Sequence, residues 1–354
     1  VECGGWCFGD WTLQQPKINV NPSREETAVA RQSRITTFGP HVLDLRAIAH
    51  AGQSQTGSKR TCEFQLTDGG GAVNVAKKLQ WLGEHVSIAA LIGRDEMGKL
   101  ADARLQQQFS NLITIPAFEN HRISVLQGDQ CLTSRPASEV KAVPAEVRRF
   151  LQKSRCVIVA PMTDEDFPLL SDLLQGARRS RSQAVLQLSS SQIQHPEHCF
   201  ALMRLATVTI INDSEARSLF QKERMPLIVE DIQKLRLGNV VITSASDVHA
   251  WLDGNYFIVP TCPVETVVQT VGAGDVFTAA FAAVMLRGDS WNACLRNANR
   301  SAAEHISGVK MNEALVDRVR PILPTPHHPS GLRRAAMLLV SISVIAILEA
   351  LLRI

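Results

Sequence analysis

Thr270-Val271-Gly272-Ala273-Gly274-Asp275 leads into an apolar run, Val276–Met285, that reads as a buried helix. Small residues let a backbone approach a ligand closely, and amides at a helix start point at an anion with the helix dipole behind them. Asp275 is unexpected there, because a carboxylate repels a phosphate. Its use lies elsewhere, most simply in taking a proton from an attacking hydroxyl. The loop would then stabilise negative charge on a transferring phosphoryl group while Asp275 aligns or deprotonates the acceptor. The plain alternative is a glycine turn with Asp275 as a first-turn residue favoured by the dipole.

Outward from this stretch, short aliphatic runs alternate with amphipathic segments. Ile35–Phe38, Val86–Ile92, Val157–Ala160, Ala184–Leu188, Val208–Ile211 and Val240–Thr243 are near-continuous apolar runs, as expected of strands buried on both faces. Helical patterns over Asn74–Leu82, Ala145–Gln152, Asp166–Ala177 and Ser214–Gln221 lie between them. This alternation predicts an α/β fold with a mostly parallel sheet and helices on both faces. Residues 45–66 and 121–135 mix Thr, Ser, Gln and Arg with few apolar residues and read as small solvent-facing strands.

Composition narrows the function classes. The 354 residues are 45% hydrophobic and 20% charged, which excludes a wholly disordered chain, a collagen-like fibre and a polytopic membrane protein. With 37 Lys and Arg against 34 acids, the net charge of +3 gives no support for nucleic-acid binding. The 8 cysteines form no dense framework and fit reduced thiols in a cytoplasmic enzyme. Cys3 and Cys7 lack the second ligand pair of a zinc site, and His195, His198, His327 and His328 read as surface residues. Residues 1–34 are polar and irregular, without the pattern of a signal peptide, and read as a loosely ordered extension. The chain does not begin with Met, which leaves a processed or partial sequence open.

Two further segments carry polar residues in telling places. Gly69-Gly70-Gly71-Ala72-Val73-Asn74 permits close approach of a ligand, and Asn74 offers a donor and an acceptor to a hydroxyl; taken alone it also reads as a turn with a capping Asn. Asn212-Asp213-Ser214-Glu215 follows an apolar run and opens a helix, where its oxygens could hold hydrated magnesium near phosphates or simply cap the helix. Gly93-Arg94-Asp95-Glu96-Met97-Gly98-Lys99 has P-loop spacing, but Leu100 stands where a magnesium-binding Ser or Thr is required.

Order and spacing together resemble the PfkB/ribokinase family of carbohydrate kinases. Gly70–Ala76 with Gly83 and Gly93 resembles its first signature, Thr270–Asp275 its second, and Asn212-x-x-Glu215 its magnesium and phosphate motif. Gly39 with Asp44 resembles its N-terminal substrate aspartate, and the similarity spans roughly residues 35–315. The resemblance implies a three-layer α/β sandwich with a central, mostly parallel sheet and a small β lid built from 45–66 and 121–135. It also implies an ATP-dependent sugar or sugar-phosphate kinase with Asp275 as general base and the Gly272, Ala273 and Gly274 amides as anion hole. Substrate would lie against Asp44, Gly70, Gly71 and Asn74, and ATP near Thr243, Thr270 and the helix from Asn297. Asn212 and Glu215 would hold Mg2+, partly through water.

Some positions depart from the family pattern. Gln269 replaces the usual Asp at a position that shapes a monovalent-cation site in some members, so potassium activation is in doubt. Ser244-Ala245-Ser246 replaces glycines common on the nucleotide side. These changes motivate a second reading, a catalytically degenerate sugar- or nucleotide-binding protein on the same fold. Gln187–Gln192 and the Gly-Gly-Ala-Val-Asn form are similar to members acting on heptose phosphates and related sugars, and Arg122 is a candidate anchor for a sugar phosphate.

The kinase domain is expected over 35–320, followed by a Pro-rich linker at 321–332 and an apolar helix at 333–354. Positions 335–352 include one charge, Glu349, and fall just short of the roughly 20 residues that span a bilayer. Membrane contact through this tail and a homodimer are both left open by the sequence.

Overall fold

The computed structural model describes residues 35–49, 62–127, 130–134 and 136–310. The expected N-terminal extension, the Pro-rich linker and the apolar tail lie outside these residues, as do Cys3, Cys7, His327 and His328.

The chain begins with β1 (Ile35–Pro40), β2 (Val42–Ala49), β3 (Cys62–Gly69), α1 (Gly71–Trp81), β4 (Val86–Gly93) and α2 (Glu96–Gln108). It continues through β5 (Leu112–Phe118), β6 (Ile123–Gln127), β7 (Gln130–Thr133), α3 (Ala145–Leu151), β8 (Cys156–Val159) and α4 (Phe167–Arg179). Next come β9 (Gln183–Gln187), α5 (Pro196–Leu205), β10 (Val208–Asn212), α6 (Asp213–Phe220) and α7 (Met225–Lys234). The last described elements are β11 (Asn239–Thr243), β12 (Asp247–Leu252), β13 (Asn255–Pro260), α8 (Ala273–Leu286) and α9 (Trp291–Ser307).

A 9-stranded sheet has the order β13-β12-β11-β10-β9-β8-β1-β4-β5. All pairings from β5 to β11 are parallel, and only the β11–β12 and β12–β13 pairings are antiparallel. Alternation along β8 explains the layers. Val157 and Val159 face one core with α3 to α7, while Cys156 and Ile158 face another with α1, α2, α8 and α9. A strand buried on both sides needs apolar residues at every position, which is why its sequence reads as an unbroken run. The sandwich expected from the alternation is therefore present, with boundaries displaced by a few residues. The largest displacement is α9, expected from Asn297 and starting at Trp291, while α1 starts at Gly71 rather than Asn74 because Gly70 takes the N-cap position.

A second, 4-stranded sheet has the order β3-β2-β6-β7. Leu45 pairs with Leu66 and Val125, and Val125 pairs with Leu132, which puts these apolar side chains on one face. Asp44, Ser124 and Thr133 share the opposite face.

Where the two sheets meet, hydrogen bonds run in one direction through a pair of histidines. Gly93 N–H donates to His121 Nδ1 at 3.0 Å, which leaves the His121 proton on Nε2. That proton is donated to His41 Nδ1 at 2.9 Å, and His41 Nε2–H in turn donates to Asp68 at 3.2 Å. A further proton on His121 breaks the bond to Gly93. Burial, then the neighbouring His41, pushes His121 down to about 4.

The unfolded chain takes up this proton near pH 6.5, so between about 6.5 and about 4 it binds more protons than the folded chain. Stability contributed by neutral His121 is thus intact above the window and falls as pH drops through it, by up to about 1.4 kcal/mol per pH unit. Urea unfolding between pH 7 and 4.5 should show this slope and show it reduced in His121→Gln. Equal slopes in the two proteins would exclude the relay as its source.

Candidate active site

The loop Thr270–Gly272 and the first turn of α8 form a partition between two cavities. Gly272, at φ 84°, takes the left-handed conformation that turns the chain into the helix. Ala273 N–H is engaged by the Thr270 carbonyl at 3.2 Å. By position, Gly274 and Asp275 are therefore the first-turn amides without an intrahelical acceptor, and no side chain caps them. Of the three residues expected to form an anion hole, Gly272, Ala273 and Gly274, the last has its amide in this uncapped pair, with the Asp275 amide beside it. His305 on α9 steadies this loop through the Val271 carbonyl at 2.8 Å.

The smaller cavity, about 290 Å³, is walled by Asp44, Gly70, Gly71, Asn74 and Asp275, with Ser124, Thr133, Ser189 and Ser191 adding hydroxyls. All the predicted substrate residues converge here. Gly70 has φ 91°, and a Cβ there would lie 2.4 Å from the Pro40 carbonyl, so only glycine fits this joint between β3 and α1.

Asp275 Oδ2 accepts from Asn74 Nδ2 at 2.9 Å, and Oδ1 accepts from Gln187 Nε2 at 3.2 Å. Burial pushes the Asp275 carboxyl up, opposed by those two hydrogen bonds and by His305. The direction suits a carboxylate that must accept a proton near neutrality. Asp44 is also raised by burial, against a hydrogen bond from Ser124.

The larger cavity, about 640 Å³, is lined by Thr243, Thr270, Gly274, Asn212, Cys262 and Asn299 among others. Asn297 does not line it. Its amide donates to the Ala293 carbonyl at 2.9 Å within its own helix, whereas Asn299, two positions on, donates to Pro260 at 2.7 Å and faces the cavity. A helix turns by 100° per residue, so a two-residue difference moves a side chain to another face.

Asn212 and Glu215 cap α6 reciprocally. Asn212 Oδ1 accepts from Glu215 N–H at 2.8 Å, and Glu215 accepts from Asn212 N–H at 3.3 Å and from Ser190 N–H at 3.0 Å. The capping role is realised, and both Glu215 oxygens accept backbone amides. Such a donor set fits hydrated magnesium held through its waters rather than by direct ligation.

Gly93–Lys99 is not a P-loop, as the missing hydroxyl at Leu100 already argued. Asp95 caps α2 by accepting from Gly98 N–H at 3.0 Å, which removes that amide from any phosphate cradle. Arg94 lies outside, paired with Glu139. Arg122 is placed in the wall of the smaller cavity, donating to the Pro136 carbonyl and lying 3.8 Å from Asp166. His195 and His198 lie at the surface as expected, beside Asp164 at 3.6 and 3.0 Å. Cys156, Cys199, Cys262 and Cys294 are buried single thiols. Among the described residues, no helix is long and apolar enough to cross a membrane.

With this geometry in view, comparison with known proteins is specific. The family described as pfkB family carbohydrate kinase matches residues 33–316. The chain belongs to the PfkB family of carbohydrate kinases, whose members transfer a phosphoryl group to an alcohol acceptor. Among curated relatives, bifunctional protein HldE of Bradyrhizobium diazoefficiens is 27% identical over 285 residues, covering 72% of this chain and 55% of its own length. The ribokinase of Bacillus subtilis is 24% identical over 254 residues, covering 68% of this chain and 81% of its own. The chain spans about half the length of the HldE relatives it matches. Arabidopsis thaliana ribokinase, solved with ribose and ATP, shares the fold with a TM-score of 0.64 at 20% identity, covering 80% of this chain and 95% of that one.

Proposed function

We propose that the chain transfers the γ-phosphoryl of MgATP to a hydroxyl of a sugar or sugar phosphate. What carries the reading is the position of one loop between two cavities. Thr270, Ala273 and Gly274 face the larger, nucleotide-sized space, while Val271 and Asp275 face the smaller, hydroxyl-lined one. Asp275 takes the acceptor hydroxyl's proton as the new O–P bond forms. The bond between Pγ and the bridging oxygen breaks, its electron pair leaving on ADP. The free amides at the start of α8 stabilise charge on the equatorial oxygens, so catalysis is by positioning and electrostatics. Asn212 and Glu215 would hold hydrated magnesium, whose charge would offset that of the phosphates. Acceptor hydroxyls are gripped by Asp44 and Asn74. An ATP-dependent reaction and the buried single thiols support a cytoplasmic location.

The test is magnesium-dependent ADP release by the full chain against sugars, sugar phosphates and nucleosides. Turnover with one class names the acceptor. Sugar or ATP binding without turnover anywhere would instead support the binding-protein reading that Gln269 and Ser244–Ser246 motivate.

A second copy of the chain is the proposed partner. The support is the outer face of the small sheet, where Phe64 is 59% and Leu132 73% exposed beside Val125. Apolar side chains grouped on one sheet face mark an interaction surface. Light scattering should give a dimer that Leu132→Asp shifts to monomer; a monomeric parent protein would exclude it.

A further inference from the structure

Gln187 ends β9, and its side chain is buried against α8. Its amide nitrogen donates to Asp275 Oδ1 at 3.2 Å and to Thr278 Oγ1 at 2.9 Å. Thr278 then donates to the Gly274 carbonyl at 2.9 Å. The other end of the amide, Oε1, is buried without a hydrogen-bond partner. Buried polar atoms are normally satisfied, so an orphan acceptor beside a twice-used donor needs a reason. The reason is its neighbour. The opposite amide orientation would set Oε1 against a carboxylate that can only accept.

We propose that Gln187 is a positioning residue that holds the Asp275 carboxylate in one orientation. This rests on Asp275 being the base of the proposed transfer. Asn74 holds Oδ2 from the substrate side and Gln187 holds Oδ1 from the sheet, so rotation of the carboxylate breaks both bonds. The link through Thr278 ends on Gly274, which faces the nucleotide cavity. One side chain of β9 thereby meets both the carboxylate and the hydroxyl of Thr278, one turn along the same helix. Gln187 exchanges no proton itself: the acceptor's proton goes to Asp275, and the electron pair of the broken Pγ–O bond goes to ADP.

The groups facing Asp275 are Asn74 from α1, Gln187 from β9 and His305 from α9, with Asp44 and Arg122 across the cavity. Burial pushes Asp275 up, and the amide of Gln187 is one of the groups opposing it. Its removal leaves burial less opposed.

The test uses the full chain labelled with 13C at the aspartate carboxyls and titrated by NMR, with the Asp275 signal identified by its absence in Asp275→Asn. Gln187→Met, close in size but without donors, should raise the Asp275 midpoint by about one pH unit. Gln187→Glu, which sets a second carboxylate beside the first, should raise it further. With the acceptor identified by ADP release, kcat in Gln187→Met should fall by roughly 10–100-fold with KM for ATP unchanged, its acid limb moving with the midpoint. An unmoved midpoint in either variant overturns the proposal, as does a lower kcat with an unmoved acid limb, the result of packing damage alone. Retention of turnover by Asp275→Asn would instead overturn the base assignment, which the titration does not depend on.

Discussion

Asp275→Asn is expected to lower kcat by about 10²–10⁴-fold, the usual contribution of a positioned general base, with ATP binding changed by no more than a few-fold. The substitution keeps the shape and removes the lone pair that accepts the proton. It also presents an amide to two side chains that both donate, Asn74 at 2.9 Å and Gln187 at 3.2 Å. One of those amides must flip, so a small loss of stability accompanies the loss of rate. The larger cavity, the proposed nucleotide site, is lined by Thr243, Thr270 and Gly274 and does not include the carboxylate, which is why ATP affinity should hold. The measurement is single-turnover ADP formation with saturating acceptor, beside calorimetric titration with ATP. A loss under tenfold would remove Asp275 from the role of base and leave the α8 amides as the dominant contribution.

Asp68→Asn should cost about 3 kcal/mol of unfolding free energy, read from urea denaturation at pH 7. The Asp68 side chain is 3% exposed and accepts from His41, from Arg104 at 2.8 and 2.9 Å, and from Gln108 at 2.6 Å. These donors outweigh burial and hold its carboxyl far below the usual carboxylate range. Asn replaces an oxygen with a donor in a site that only donors surround, leaving Arg104 without its counter-charge. The change falls two residues from Gly70, so KM for the acceptor should rise as well. A loss below about 1 kcal/mol would mean that the neighbours of Asp68 re-pair at little cost.

How much of this was legible in the sequence follows from what kind of interaction each part depends on. Val157–Ala160 and Val208–Ile211 announce buried parallel strands because burial on both faces admits only apolar residues, and both strands are found within a residue of those limits. Asp275, Asn74 and the glycines are legible because helix starts and tight turns impose local residue choices. The His121–His41–Asp68 relay is not, since its members are 80 and 27 positions apart and none belongs to a local pattern. Gln187 was visible as part of a polar stretch, but its contact with Asp275 spans 88 positions. Which of Asn297 and Asn299 faces the larger cavity is not legible either, because helical phase is set by the packing that decides which face turns inward.

The division into two sheets has a consequence for how such an enzyme can change over generations. On the proposed assignment, the proton acceptor and its supports come from α1, β9 and α8, all packed on the large sheet. Three of the groups that would meet the acceptor, Asp44, Ser124 and Thr133, sit on one face of the small one, whereas Asn74 would serve both acceptor and base. Substitutions on that face can alter which sugar is preferred while the reacting geometry stays untouched. On that assignment, part of the selectivity can drift on the small sheet while the reacting groups are inherited unchanged, so a new preference need not pass through an inactive ancestor.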